Sequence, residues 1–344
     1  MKKVSTEEKT YIVRSLDELR KILALVYKQD LKHIFVLFCI TVLVFIINCF
    51  LNLLKFLLFR HQNIEKTDFR HIVIYTVGIV GDNVVMLPAV AALRKKYPEA
   101  EITVIANGQS DGQGALGVFE LSPWKDKLII LDDHPVQWRN FKFVMEKSKY
   151  EKVKCDLFVN LSPYGNKGWI GAVLREMIFA KKIGAEYAIG FRLYNLARRG
   201  KLTRAYPLLA TNEPRRAKDV LSELGISPVE NEDLFSHNSK ALESVIKKLE
   251  MHGVMVNNFF VINPGGKIRY QCWRAARYGR LAQWLINHYG ASVVITGVAS
   301  ENEIAEEVVE TSGKRAVNLA GKTTLHELFE LLRLSRGCVT NDTG

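Results

Sequence analysis

At 344 residues, 48% of them hydrophobic, the chain has room for two globular domains with sizeable cores. Its formal charge of +12 favours acidic partners such as anionic lipid, a phosphorylated glycan or a nucleotide. No aromatic-interleaved basic run or nucleic-acid motif accompanies that charge, so nucleic acid is not expected among them. The five cysteines, Cys39, Cys49, Cys155, Cys272 and Cys338, are odd in number and contain no CxxC, which argues against a disulfide framework or zinc site and for a reducing setting.

Residues 1–30 read as an amphipathic segment. Ser15-Leu-Asp-Glu18 resembles a capping box opening a helix with Leu16, Leu19, Ile22, Leu23 and Val26 on one face. That face suits a membrane surface or a packing partner equally. Residues 31–60 predict a membrane helix, because Ile34 to Leu54 is 21 residues without a charge, about 30 Å at the helical rise. Basic residues flank it on both sides (Arg20, Lys28 and Lys32; Lys55, Arg60 and Lys66), so the positive-inside rule does not orient it. Asn48, Asn52 and Lys55 also suit a re-entrant or in-plane helix, and a buried core helix is the third alternative. Residues 61–70 read as a polar linker.

The first domain is placed at 71–235. His71–Val77 reads as a buried strand, Gly78 to Asp82 as a loop, Asn83–Tyr97 as a helix and Glu101–Ala106 as the next strand, a βαβ unit with a parallel sheet. Further strands are predicted at Lys127–Leu131, Cys155–Leu161 and Tyr187–Phe191, with helices at Trp138–Lys149 and Gly168–Lys182. The loop lacks GxGxxG, so a dinucleotide site is weakly supported. Asp82 is either an N-cap or a general base at the sheet's carboxyl edge, with Gly78 and Gly81 allowing an acceptor close to the backbone.

The second domain is placed at 236–344. Phe259–Asn263 reads as a strand followed by Pro264-Gly265-Gly266 and the cations Lys267 and Arg269, a combination suited to a diphosphate. Strands follow at Ala291–Thr296 and Ala316–Leu319, with helices near Glu301–Val309 and Leu325–Leu334. Gly321, Lys322, Thr323 and Thr324 cap the last helix. A carboxylate at Glu301 suits ribose hydroxyls. Arg336–Thr340 leads into Asn341-Asp342-Thr343-Gly344, where a helix N-terminus would offer N–H groups to a phosphate. The sequence stops there, so the second domain is expected to be incomplete.

Four blocks resemble the heptosyltransferases, glycosyltransferase family 9: YTVGIVGDNVVMLPAVAALRK (Tyr75–Lys95), GAEYAIGF (Gly184–Phe191), NPGGKIRYQCW (Asn263–Trp273), and Val317–Gly344 with GKTTLHEL and NDTG. The resemblance implies an α/β GT-B fold, two Rossmann-like domains with a facing cleft. It implies inverting, cofactor- and metal-free transfer of heptose from ADP-heptose to a phosphorylated glycolipid, the lipopolysaccharide inner core, at the cytoplasmic side of the inner membrane. Carried over residue by residue, Asp82 matches the base and Lys267 or Arg269 the cation on the diphosphate. Glu301 matches the ribose ligand, Gly321–Thr323 the adenine-side loop, and Asp342, Thr343 and Gly344 the sugar- and phosphate-binding turn. Gln271 stands where the family has Lys, and Asn263 where it has His. Those departures keep open another nucleotide-sugar and another surface glycan, or a non-catalytic, membrane-tethered glycan-binding protein.

Overall fold

A computed structural model describes residues 31–78, 80–107, 115–131, 135–139, 142–145, 150, 152–162, 169–192, 213–230, 232–266, 270 and 272–341. The amphipathic segment 1–30 and the residues Lys267, Arg269, Asp342, Thr343 and Gly344 lie outside that set. The architecture is α/β, with two parallel sheets.

The first sheet contains β1 (His71–Thr76), β2 (Glu101–Asn107), β3 (Lys127–Leu131), β6 (Leu157–Asn160) and β7 (Tyr187–Ile189), in the order β3-β2-β1-β6-β7. All four pairings are parallel. Parallel strands are covered on both faces, which is why β1 is an unbroken apolar run rather than an alternating one. Its residues still alternate in destination. Ile72 and Ile74 pack with α2 (Val80–Lys96) and α5 (Glu213–Ser222), whereas Val73 and Tyr75 pack with α4 (Trp169–Lys182) on the other face.

The second sheet has the order β10-β9-β8-β11, from β8 (Phe259–Asn263), β9 (Ser292–Ile295), β10 (Val317–Asn318) and β11 (Gly337–Thr340). Ile262, Val293 and Ile295 face α7 (Ala275–Tyr289) and α8 (Asn302–Thr311). Phe259, Val261 and Val294 face the opposite layer, which holds α6 (Ser239–Met251) and α9 (Leu325–Leu334). The segment that joins the two sheets packs on α9. Phe235 and Phe329 lie 4.2 Å apart, Arg333 pairs with Asp233 at 2.7 Å, and buried Glu330 accepts the Asn238 N–H at 2.9 Å. Gly117 of α3 (Ala115–Glu120) lies against Leu325, so closely that an added Cβ would collide with the leucine.

Three expectations change. Trp138–Lys149 is not a helix: β4 (Val136–Arg139) and β5 (Lys142–Met145) form an antiparallel pair. Aromatic and β-branched residues at Val136, Trp138, Phe143 and Val144 favour the pleated surface over helical packing. Gly81 and Asp82 are not in a loop but in the first turn of α2. And 31–60 is not a free membrane-crossing helix.

Residues Leu31–Leu58 do form one helix, α1, but among the described residues no helix is long and apolar enough to cross a membrane. The second half of α1 packs on the first sheet's layer. Leu51 is fully buried, with Ile47, Leu54 and Leu58 beside it, the i, i+3, i+4 spacing of a packing stripe. Lys55 pairs with Glu223, and Lys181 donates to the Leu58 carbonyl at 2.8 Å. Phe59 stacks on Phe191 at 6.1 Å, and the Arg60 N–H donates to the Glu186 carbonyl at 2.8 Å, next to a β-bridge with Tyr187. Within the predicted linker, Phe69 is buried edge-on against Tyr97 and Tyr187.

Candidate active site

At the carboxyl edge of the first sheet, three adjacent strands share one polar network. The Val77 N–H donates to Ser162 Oγ at 3.0 Å, and the Gly78 N–H donates to Asn107 Oδ1 at 2.9 Å. Thr76 Oγ1 donates to Asn83 Oδ1 at 2.9 Å, while Asn83 Nδ2 donates to the Gly78 carbonyl at 3.1 Å. Behind them Ser162 N–H donates to Asn160 Oδ1, whose amide donates to Glu176 at 2.7 Å. Thr76, Asn83, Asn160, Ser162 and Glu176 are all buried. Buried polar groups persist when mutually satisfied, and such networks hold a loop in one geometry.

The turn they hold leads into α2, whose first turn carries Asp82. A Cβ on Gly78 would lie 2.6 Å from Asp82 Cβ and 3.0 Å from its Oδ2, so the carboxylate folds back over a backbone only glycine permits. Asp82 is half-buried in the first turn of a helix, where the dipole favours a carboxylate. Gly81 is half-buried beside it.

The carboxyl edge of the second sheet gathers four loops. After β8, Asn263 Oδ1 accepts the Gly265 N–H at 3.2 Å, so this side chain caps its own loop. After β9, Glu301 accepts the Val298 N–H at 2.9 Å. Its carboxylate lies over two glycines: a Cβ on Gly265 would overlap it, and one on Gly297 would sit 2.7 Å from Oε2. After β10, Gly321 takes φ +70°, a region that favours glycine, and a Cβ there would be 2.8 Å from Ala299 Cα. Its N–H donates to the Gly297 carbonyl at 2.8 Å. Lys322 curls back to the Asn318 carbonyl at 3.0 Å, and Thr323 is half-buried.

After β11 comes Asn341, the first residue of the NDTG turn, to which the sequence assigns no separate role. Its Nδ2 donates to the Pro264 and Gly265 carbonyls, both at 2.8 Å. Its Oδ1 accepts the Trp273 N–H at 2.9 Å and the Tyr278 hydroxyl at 2.7 Å. All four bonding positions of the amide are used, so one side chain ties β11 to the Pro264–Gly266 loop and to α7.

Below these loops, Thr324 caps α9 with a reciprocal box to Glu327. Burial would raise the Glu327 carboxyl, but hydrogen bonds from Lys248, Ser244 and the Thr324 N–H outweigh it and hold the pKa down to about 2. Lys248 also donates to the Lys322 carbonyl at 2.7 Å, which fixes the Gly321–Thr324 loop to α6.

The structure thus brings together Gly265, Gly266, Glu301, Gly321, Lys322 and Thr323 on the second sheet, and Gly78, Gly81 and Asp82 on the first. The Gly117–Leu325 contact puts α3, which follows β2, beside the start of α9. Sequence reasoning missed Asn107 and Ser162, and gave Asn341 no role of its own within the NDTG turn. A polar residue one or two positions past a predicted strand was the available signal. Among the described residues, no group of three or more His, Cys, Asp or Glu is placed to hold a metal ion.

A family model for glycosyltransferase family 9 (heptosyltransferase) matches residues 202–344. Lipopolysaccharide heptosyltransferase 3 of Escherichia coli is 25% identical over 270 residues, covering 73% of this chain and 72% of that protein. Lipooligosaccharide heptosyltransferase 2 of Haemophilus influenzae is 29% identical over 148 residues, 40% of this chain and 42% of that protein. Among solved structures, a family 9 glycosyl transferase from Veillonella parvula superposes with TM-score 0.59 at 21% identity, covering 80% of this chain and 76% of its own. ADP-heptose lipopolysaccharide heptosyltransferase II of E. coli superposes with TM-score 0.50 at 19% identity, covering 79% of each chain. These two likenesses concern the fold. Together with the matched motifs, the family model over residues 202–344 and the E. coli relative show that the chain is similar to glycosyltransferase family 9, and they support a glycosyltransferase activity.

Proposed function

We propose that the chain transfers a heptose from ADP-heptose to the phosphorylated inner core of lipopolysaccharide, with inversion and without a metal, in a GT-B cleft at the cytoplasmic face of the inner membrane. The observation that carries this reading is the convergence of Gly265, Glu301, Gly321 and Asn341 at one sheet edge. It is a bare-backbone cradle with one carboxylate, suited to a nucleoside diphosphate. The relatives, a lipopolysaccharide and a lipooligosaccharide heptosyltransferase, suggest the sugar and the acceptor.

In this mechanism Asp82 accepts the proton of the acceptor hydroxyl. The hydroxyl oxygen forms the new bond to the anomeric carbon as that carbon's bond to the diphosphate breaks. ADP leaves with the bonding electrons, and Lys267 and Arg269 absorb its charge in place of the absent lysine at Gln271. Glu301 accepts from the ribose hydroxyls, the Gly321–Thr323 loop borders the adenine, and Asp342–Gly344 close on the sugar and phosphate.

Gln271 favours one competing reading, a different nucleotide-sugar. The test is calorimetry with ADP, UDP and GDP, followed by turnover with ADP-heptose and heptose-deficient lipopolysaccharide. Preferential ADP binding with transfer is expected. Preference for another nucleoside diphosphate refutes the donor, and absence of any nucleotide binding refutes the enzyme reading. Charge reversal of Lys267 and Arg269 together should weaken ADP in a salt-dependent manner.

A further inference from the structure

Helix α1 is apolar on its outward as well as its inward face. A helix on a protein in water turns an apolar stripe inward and charges outward. Here Lys55, the one charged residue between Ile34 and Leu58, turns inward, its side chain 20% exposed and paired with Glu223. The outward surface is Phe38, Phe45, Ile46, Phe50, Leu53 and Leu57, each 47–70% exposed, with no charge among them.

The breadth of that surface decides what covers it. The inward stripe of Ile47, Leu51, Leu54 and Leu58 is already occupied by the first domain. Ile46, Phe50 and Leu53 lie about 80–140° round the helix from Phe45, since successive residues turn by about 100°. One helix from a second copy would cover one stripe of it, whereas a bilayer covers all of it. The C-terminal end carries cations: Lys181 and Lys182 are exposed where α1 meets α4, beside Arg60, which pairs with Glu186.

The docked half also limits how α1 meets the bilayer. Among the described residues, the core contacts of α1 begin at Ile47; the uncharged stretch before it, Ile34 to Ile46, is 13 residues, about 20 Å of helix. A hydrocarbon core is about 30 Å thick. To cross it, Leu51 and Lys55 would have to leave their partners or drag Glu223 into lipid.

We propose that α1 is a monotopic element, lying in the interfacial plane of an anionic bilayer with its outward face in the acyl boundary and both ends on one side. Because Leu51, Lys55, Phe59 and Arg60 fix it to the first sheet's layer, it holds that domain at a set orientation to the membrane rather than on a tether. This goes beyond the transferase reading and does not depend on it.

The experiment uses the whole chain and sealed vesicles of phosphatidylethanolamine and phosphatidylglycerol. Flotation should carry the wild type with the vesicles. The double variant Phe45→Glu/Leu53→Glu, at exposed positions outside the core, should lose at least tenfold in partitioning with an unchanged melting temperature in detergent. Cys39 and Cys49, both exposed on α1, should react with an aqueous maleimide without vesicles and be protected with them. In the variants Lys32→Cys and His61→Cys, an impermeant maleimide should reach the introduced thiol from the same side. Labelling from opposite sides means the helix spans and overturns the proposal. A chain that stays in the aqueous fraction, whether as a monomer or as a dimer closed through α1, overturns it too.

Discussion

Replacing Gly265 by alanine tests the nucleotide cradle at its tightest point. Gly265 is buried at the end of β8, and the space its Cβ would enter is filled by the Glu301 carboxylate. Asn341 holds the carbonyl of Gly265 at 2.8 Å and Asn263 its N–H at 3.2 Å, so the backbone has little room to retreat. The carboxylate must therefore swing away and give up the Val298 N–H at 2.9 Å. A hydrogen bond to a charged group contributes about 1.5–3 kcal/mol. If the displaced carboxylate is the ribose ligand, ADP affinity falls roughly tenfold to hundredfold. The assay is calorimetry with ADP on Gly265→Ala, Glu301→Ala and the double variant. An effect that runs through Glu301 makes the losses non-additive: once the carboxylate is gone, the added methyl has little left to displace. Additive losses, or an unchanged affinity in Gly265→Ala, would refute the assignment of Glu301 and leave Gly265 a packing glycine.

Asp82→Asn keeps the side chain over Gly78 but cannot take a proton; turnover should fall about 10²–10⁴-fold with ADP affinity unchanged, and near-normal turnover would make Asp82 an N-terminal helix residue only. Asn341→Asp replaces the two N–H donors facing the Pro264 and Gly265 carbonyls with an oxygen; it should lower the melting temperature and weaken ADP, whereas an unaltered affinity would show that the cradle holds without this tie. Glu327→Gln addresses acid stability. The folded pKa lies near 2 against an ordinary 4.5, so the ionised carboxylate stabilises the fold fully above about pH 4.5, by roughly 3 kcal/mol, and this contribution fades as pH falls towards 2. The variant's deficit in melting temperature should therefore be large at pH 7 and shrink towards pH 3; a deficit constant with pH would assign it to packing.

The parts of this molecule that were legible in the sequence are those whose cause is local. β1 and β8 announce themselves as unbroken apolar runs because parallel strands are covered on both faces. The start of α9 is legible because Thr324 and Glu327 satisfy each other across three residues. Glu301 is legible in the sequence only as a carboxylate suited to ribose hydroxyls and as a match to the family's ribose ligand. Its contact with Gly265, 36 residues earlier in the chain, has no local signature. The tie made by Asn341 has no local signature for the same reason: its partners Pro264, Gly265, Trp273 and Tyr278 are brought to it by the β8–β11 pairing and by α7. The hairpin at 136–145 was misread because a short stretch rich in aromatics fits either period until a partner strand is chosen.

Helix α1 shows a different kind of blindness. Hydropathy sums residues without asking which way each one faces, and over Ile34–Leu54 the sum points to a membrane span. Facing changes the meaning. Leu51 at 0% exposure belongs to the domain, Phe45 at 69% belongs to whatever lies outside, and Lys55 sits on the side where a water-exposed helix would place leucine. A stripe that packs inward and a wider apolar surface that looks outward require two different apolar environments for one helix. A spanning helix would have only lipid around it, and a core helix only protein. A helix at the boundary of the two satisfies both halves of its surface. That placement also explains why the single cation is inward: Glu223 lies on the protein side, and an ammonium on the other side would have met hydrocarbon.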